Sequence, residues 1–345
     1  MKAMELIRQA RDEPLSIGSK KPVLETDNLT VSYRPYGLPP VEALRKVNIK
    51  IAPGEILGLV GESGAGKTTL AKAIMGVIAK PGVVESGRLF FNGTNLFQLS
   101  EEKLNQLRGA SISIIVANPR GELNPLLMIG QQLANIARIH MRVSARQARQ
   151  LALDMLMAVK IPDPVRRFRA YPHELSGGMA QRVVIAAGLI CSPQLVISDD
   201  ATSGLDVTVQ AQILHLLKKL ARERQTSMLY ITRDIGVAAN FCDRIAVLYK
   251  GEIVEEAPTG AFFEGPSHPY GNLLLAAFSH NSVLRRRWST ELEQLQKSET
   301  QALACLFADR CPLRQGRCRQ EHPELRDLTP GRLIRCHFPV LRHRP

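Results

Sequence analysis

The densest chemical potential in this chain lies in Gly61-Glu62-Ser63-Gly64-Ala65-Gly66-Lys67-Thr68-Thr69. Three glycines let a backbone wrap with its N–H groups pointing inward, and a helix starting at the loop's end places positive potential where phosphate charge would sit. At this spacing Lys67 reaches the β/γ-phosphates of a nucleotide and Thr68 holds Mg²⁺. The bland alternative is a glycine-rich turn. Against it stand the apolar run Glu55-Ile56-Leu57-Gly58-Leu59-Val60 before the loop and the helix-like run Leu70-Ala71-Lys72-Ala73-Ile74-Met75 after it. Strand, glycine loop and helix are the parts of a phosphate cradle.

A second group supplies acid and anion-binding chemistry. Gln194-Leu195-Val196-Ile197-Ser198-Asp199-Asp200 reads as an apolar strand ending in carboxylates, which can meet Mg²⁺ beside Thr68. Alone, an acid after an apolar strand is commonplace. Glu174-Leu175-Ser176-Gly177-Gly178-Met179-Ala180-Gln181-Arg182 is a small-residue turn opening a helix from Val183 to Leu189, and Ser-Gly-Gly at a helix start is a further anion site. Two phosphate-binding features on one chain point to a site shared between two copies. Tyr33, in the β-rich run Leu29-Thr30-Val31-Ser32-Tyr33, either stacks on a nucleotide base or is an ordinary strand tyrosine. Of the six cysteines, Cys191 and Cys242 lie in apolar stretches as core fillers, while Cys305, Cys311, Cys318 and Cys336 gather at the end.

The elements that must position these groups follow from pattern. At 345 residues the chain can bury a sizeable core and prompts an expectation of about two domains. Residues 1–22 are polar and aperiodic, a loose arm. From Val23 to Ile51, β-rich runs bracket a turn-rich link from Pro35 to Pro40, an antiparallel element leading into the phosphate-loop strand. Helical patterning dominates from about 96 to 190, clearest at Ser144 to Leu156. Apolar strands then alternate with helices, Val207 to Glu223 and Ser227 to Thr232 among them, so the fold class is α/β with a mostly parallel sheet. After Pro258 the composition changes, and an arginine- and cysteine-rich module follows.

No stretch approaches the roughly 20 apolar residues of a membrane span, and the first residues break into charge too early for a signal peptide, which places the chain in the cytoplasm. The formal charge is +13, and residues 281–345 hold 13 Lys/Arg against 7 Asp/Glu. That basic tail suits either nucleic acid or anionic lipid headgroups, although beyond Trp288 and a few Phe it lacks interleaved aromatics.

Read together, these motifs resemble an ATP-binding-cassette ATPase over about residues 23–265. Phosphate loop, Leu175-Ser176-Gly177-Gly178 signature, apolar strand with acid, and Ser203-Gly204-Leu205-Asp206 occur in that family's order. The family dimerises head to tail, each ATP lying between one subunit's phosphate loop and the other's signature. The resemblance assigns Tyr33 to adenine stacking, Lys67 and Thr68 to phosphate and Mg²⁺, Asp199 to the metal and Asp206 to the dimer contact. A finer similarity is to ATPase subunits of dipeptide, oligopeptide and nickel importers, through the segment Asp206 to Leu214, Asn124-Pro125 and His268-Pro269-Tyr270. It divides the chain into an arm (1–22), a nucleotide-binding domain (23–265) and a C-terminal extension (266–345). In that subfamily four extension cysteines hold a [4Fe-4S] cluster. Thiolates suit iron or zinc, and the gaps here of five, six and seventeen residues are wider than the usual zinc pairs. Zinc is the runner-up and unligated thiols the third reading.

Three positions depart from the family, and all concern water. Asp200 stands where the family has glutamate, shortening the side chain by one methylene, about 1.5 Å. Arg233 stands where a switch histidine is expected, and Ala117 where a loop glutamine is expected. The implied function is an importer ATPase subunit whose own site binds Mg-ATP but turns it over slowly, while its signature completes a competent partner ATPase. The other implied partners are two transmembrane permease subunits and an extracytoplasmic binding protein, with the chain peripheral at the cytoplasmic membrane face. Two rivals are a soluble cassette acting on nucleic acid and a regulatory iron–sulfur subunit.

Overall fold

A computed structural model describes residues 21–278 and 304–341. The arm expected at 1–22 lies outside the described residues except for its last two positions, as do Trp288 and the arginines beside it. An antiparallel sheet is built from β1 (Leu24–Tyr33), β2 (Val41–Val47), β3 (Lys50–Ile51), β5 (Gly82–Phe91) and β6 (Thr94–Asn95). Its alternation is visible in β1, where Leu24 and Thr26 are buried on one side of a register shift and Leu29 and Val31 on the other. The turn-rich link does connect two paired strands, with Tyr33 opposite Val41. The run Val47 to Ile51 is interrupted: Asn48 accepts from the Asn28 N–H at 2.7 Å, and strand pairing resumes only at Lys50.

The second sheet has eight strands in the order β12-β13-β11-β10-β4-β9-β8-β7, where β4 is Ile56–Val60, β7 Ile112–Val116, β8 Leu195–Asp199, β9 Ser227–Thr232, β10 Arg244–Tyr249, β11 Glu252–Pro258, β12 Arg326–Thr329 and β13 Arg332–Ile334. Strands β10, β4, β9, β8 and β7 are parallel neighbours. All five residues of β4 and all six of β9 are buried, the signature of parallel strands covered on both faces.

The helical region comprises α2 (Glu101–Leu107), α3 (Pro119–Glu122), α4 (Ile129–Met141), α5 (Ala145–Ala158), α6 (Pro164–Arg167) and α7 (Gly177–Leu189), preceded in the chain by α1 (Lys67–Ile74). Ser144 and Gln147 form a reciprocal capping box that starts α5. Buried Leu133 and Ala137 on α4 pack in one cluster with Ala148, Ala152 and Met155 on α5, each set at i, i+4 or nearly so. Helical patterning fails inside this region at β7, an edge strand that pairs parallel with β8. Its five residues are bounded by helices, so their β-branched character was outvoted by the surrounding period.

Four helices follow: α8 (Val207–Glu223), α9 (Ile235–Phe241), α10 (Thr259–Glu264) and α11 (Pro269–Phe278), then the short α12 (Gly316–Gln320). The change of composition after Pro258 does not interrupt the sheet, because β13 adds antiparallel to β11, pairing Ile334 with Glu255. Among the described residues no helix is long and apolar enough to cross a membrane.

Candidate nucleotide site and cysteine pocket

The phosphate loop bridges β4 and α1. A Cβ on Gly61 would lie 2.2 Å from the Leu248 carbonyl oxygen, and one on Gly66, at φ 110°, would lie 2.3 Å from that of Ala43. The loop is thus wedged between neighbouring strands that only glycine admits. Gly66 is also the N-cap of α1 and offers no side chain to the first-turn N–H groups, leaving them for an anion. Ser63, Gly64 and Thr68 are exposed while Ala65 and Thr69 are buried. Lys67 is buried and donates to the carbonyls of Gly61 and Glu62 at 2.7 and 2.8 Å. Burial holds its pKa below the ordinary lysine value, opposed by the negative charge of Asp200 and Asp199.

Parallel register brings the acids to this loop. Asp199 ends β8 near the Thr68 side chain, and burial raises its pKa while the neighbouring hydroxyl lowers it. A hydroxyl and a carboxylate side by side are a suitable pair of hard oxygen donors for Mg²⁺. Val116 of β7 lies opposite Asp199, and Asp199 opposite Ile231 of β9, so the residues that follow the three strands, Ala117, Asp200 and Arg233, gather at their C-terminal ends. Asp200 takes a left-handed φ of 53° and donates its N–H to the Ile231 carbonyl at 3.0 Å. The Arg233 Nε donates to Asp200 Oδ2 at 3.0 Å. The departures at Asp200 and Arg233 are therefore one ion pair. Asn118, beside Ala117, does not stand in for a missing glutamine, since its Oδ1 accepts from the Gly121 N–H at 3.2 Å to cap α3.

Tyr33 ends β1 opposite Gly82, its ring lying 2.9 Å from where a Gly82 Cβ would be, so the ring stays seated on bare backbone. The signature turn sits apart on the helical region. Ser176 caps α7, its Oγ accepting from the Met179 N–H at 3.3 Å, and the helix begins at Gly177, six residues before the expected Val183. Gly177 faces open space and Gly178 meets Val209 of α8. Asp206 caps α8, its Oδ1 accepting from the Val209 N–H at 2.9 Å, and the following Val207 is 82% exposed.

Cys305, Cys311, Cys318 and Cys336 line one pocket together with His268, Phe307 and Phe338. Burial pushes the thiols of Cys311 and Cys336 up to about 12 and about 11. Four cysteines around one pocket are the donor type that iron–sulfur and zinc groups take. Among the described residues no three His, Cys, Asp or Glu side chains are close enough to form a single-ion site. Cys191 and Cys242 lie elsewhere, in or against the main core, as expected.

Sequence reasoning missed Arg310. It forms a bidentate pair with Glu62 of the phosphate loop, both bonds at 2.8 Å. The His268-Pro269-Tyr270 motif, noted only as a subfamily mark, also has a place: the Tyr270 hydroxyl accepts from the Glu62 N–H at 2.9 Å.

Comparison with known proteins agrees with this geometry. The ABC transporter family model matches residues 44–203, and the oligopeptide/dipeptide transporter C-terminal region model matches residues 254–318. The chain is 42% identical to a probable peptide ABC transporter ATP-binding protein, y4tR, of Sinorhizobium fredii, over 85% of this chain and 88% of that protein. It is 38% identical to the dipeptide transport ATP-binding protein DppD of Escherichia coli over 92% of this chain and 97% of that one. The dimeric post-hydrolysis structure of the ATP-binding cassette MJ0796, bound to ADP and Pi, superposes with a TM-score of 0.60 at 29% identity, covering 68% of this chain and 98% of that one. The chain belongs to the ABC ATPase family, among the ATP-binding subunits of the oligopeptide/dipeptide transporter type.

Proposed function

We propose that this chain is the ATP-binding subunit of an importer for peptides or related small solutes, and that its own site retains nucleotide while hydrolysing it slowly. Lys67, Thr68 and the loop N–H groups bind phosphate, Thr68 and Asp199 hold Mg²⁺, and Tyr33 stacks on adenine. Ser176, Gly177 and Gly178, with Asp206, face a second, competent ATPase subunit across a head-to-tail dimer. The exposure of Ser176 and Val207 supports that reading, since a partner subunit can reach both. Two permease subunits and a binding protein complete the assembly, with this chain on the cytoplasmic membrane face.

The observation that carries slow hydrolysis is the Arg233–Asp200 pair. A general base must have a free lone pair within hydrogen-bond reach of the attacking water. Here the shortened carboxylate has Oδ2 bonded to a guanidinium, which stays charged where a histidine would titrate, and only Oδ1 is left for water, one methylene farther back than a glutamate would place it. The Ala117 side chain offers no polar atom to a water, where a glutamine would. Steady-state turnover by the chain alone and by its heteromeric pair tests this: little hydrolysis alone is expected, and rapid hydrolysis by the homodimer overturns it.

The residues 266–345 form the transporter-type extension, and Cys305, Cys311, Cys318 and Cys336 would hold a [4Fe-4S] cluster, with zinc the alternative. Such a cluster supplies reversible electron storage or a rigid cross-link. This chain's contribution is to bring the four cysteines to one pocket that Phe307 and Phe338 also line. Absorption spectra and iron and zinc analysis after anaerobic purification decide between the two.

A further inference from the structure

We propose that Arg310, from the cysteine-bearing extension, is a positioning residue for the phosphate loop, so that the extension sets the affinity of the nucleotide site. The inference rests on reading residues 61–69 as that site. Glu62 is the second residue of the loop, and its carboxylate is the negative charge on the loop itself. Left alone, it would oppose incoming phosphate charge. Arg310 Nη1 and Nη2 each take one of its oxygens at 2.8 Å, neutralising the charge and fixing its direction. Tyr270 holds the same residue from behind through the Glu62 N–H.

The clamp has a rigid mount. The Arg310 guanidinium lies 5.8 and 5.9 Å from the ring centres of Tyr249 and Phe307. Tyr249 closes β10 and packs on Tyr270 at 4.6 Å and edge-on to Phe307 at 5.2 Å. Arg310 ends a 3-10 turn lying between two of the pocket cysteines: the Ala308 N–H bonds the Cys305 carbonyl at 3.0 Å and the Cys311 N–H bonds the Ala308 carbonyl at 3.3 Å. Phe307 and Ala308 also wall the thiol pocket. The path from thiols to phosphate loop is thus one turn of backbone and one side chain. A partly exposed ion pair between two surface residues would be worth little. This one is bidentate, stacked and attached to the loop that binds the ligand, so its effect falls on affinity more than on stability.

The test is equilibrium binding of a fluorescent Mg-ATP analogue to the full-length chain, with a melting curve for each variant. Arg310→Ala exposes the carboxylate and is expected to weaken binding about tenfold. Arg310→Lys keeps the charge without the fork and is expected to lose about threefold. Removing the orphaned carboxylate, in the double variant Arg310→Ala with Glu62→Gln, is expected to recover most of the loss. A residue that merely supported the fold would give a double variant no better than the single one, and that result overturns the proposal, as does wild-type affinity in Arg310→Ala. Should Arg310→Ala fail to fold, Arg310→Lys decides, with unchanged affinity counting against the clamp. Failure of the wild-type chain to bind the analogue at all would instead overturn the reading of the site.

Discussion

The two halves of the nucleotide site have diverged in character. On the phosphate side, the groups suit a magnesium-bound nucleotide: Lys67 is buried within a glycine loop, the first turn of α1 is uncapped, and Asp199 ends its strand beside Thr68. On the water side, Arg233 is bonded to Asp200 Oδ2 and Asn118 Oδ1 caps α3. Binding and hydrolysis need different things. Binding needs charge and backbone donors; hydrolysis needs an unsatisfied base. The same strand ends supply the first and, in the function proposed above, restrict the second.

The comparison breaks most sharply if the water side is rebuilt. Changing Asp200→Glu, Arg233→His and Ala117→Gln together is expected to raise turnover on the order of a hundredfold while leaving Mg-ATP affinity within about threefold. Measured by phosphate release, no gain would mean that hydrolysis is limited elsewhere. Damage to the phosphate side is expected to do the converse. Lys67→Ala should weaken Mg-ATP binding by on the order of fiftyfold, since a buried charged contact to phosphate is lost, with the melting temperature nearly unchanged. Tyr33→Ala should cost about fivefold in affinity for ATP, read by titration, because one stacking surface is removed. The smallest effect is expected from Arg233→Ala alone: Asp200 is freed but remains short, so turnover should rise by less than about tenfold.

Much of this was legible in the chain itself, and the reason is spacing. The phosphate loop, the signature turn and the strand ending in Asp199 are local patterns whose chemistry lies within about ten residues. The helix Val207–Glu223 and the strand Ser227–Thr232 carry clean periodicities and were found to the residue. Ile112–Val116 was lost because an edge strand of five residues cannot impose its period on the helices around it. Contacts between distant residues leave no such trace. Glu62 and Arg310 are 248 positions apart, and nothing in either neighbourhood announces the other. Asp200 and Arg233 were each conspicuous as departures, yet their pairing follows only from the register that sets Asp199 beside Ile231. The extension's attachment was hidden for the same reason: β13 pairs with β11 across about seventy residues of intervening chain, so composition showed a change where the sheet shows continuity.

The most direct test of the central claim is a single experiment on the purified full-length chain: bound nucleotide is quantified at saturating Mg-ATP, and its conversion to ADP is followed in the same sample. The account predicts near-stoichiometric binding with ATP persisting over many minutes. Rapid conversion of the bound ATP would contradict it, because an Asp200 held by Arg233 would then be serving as an effective base.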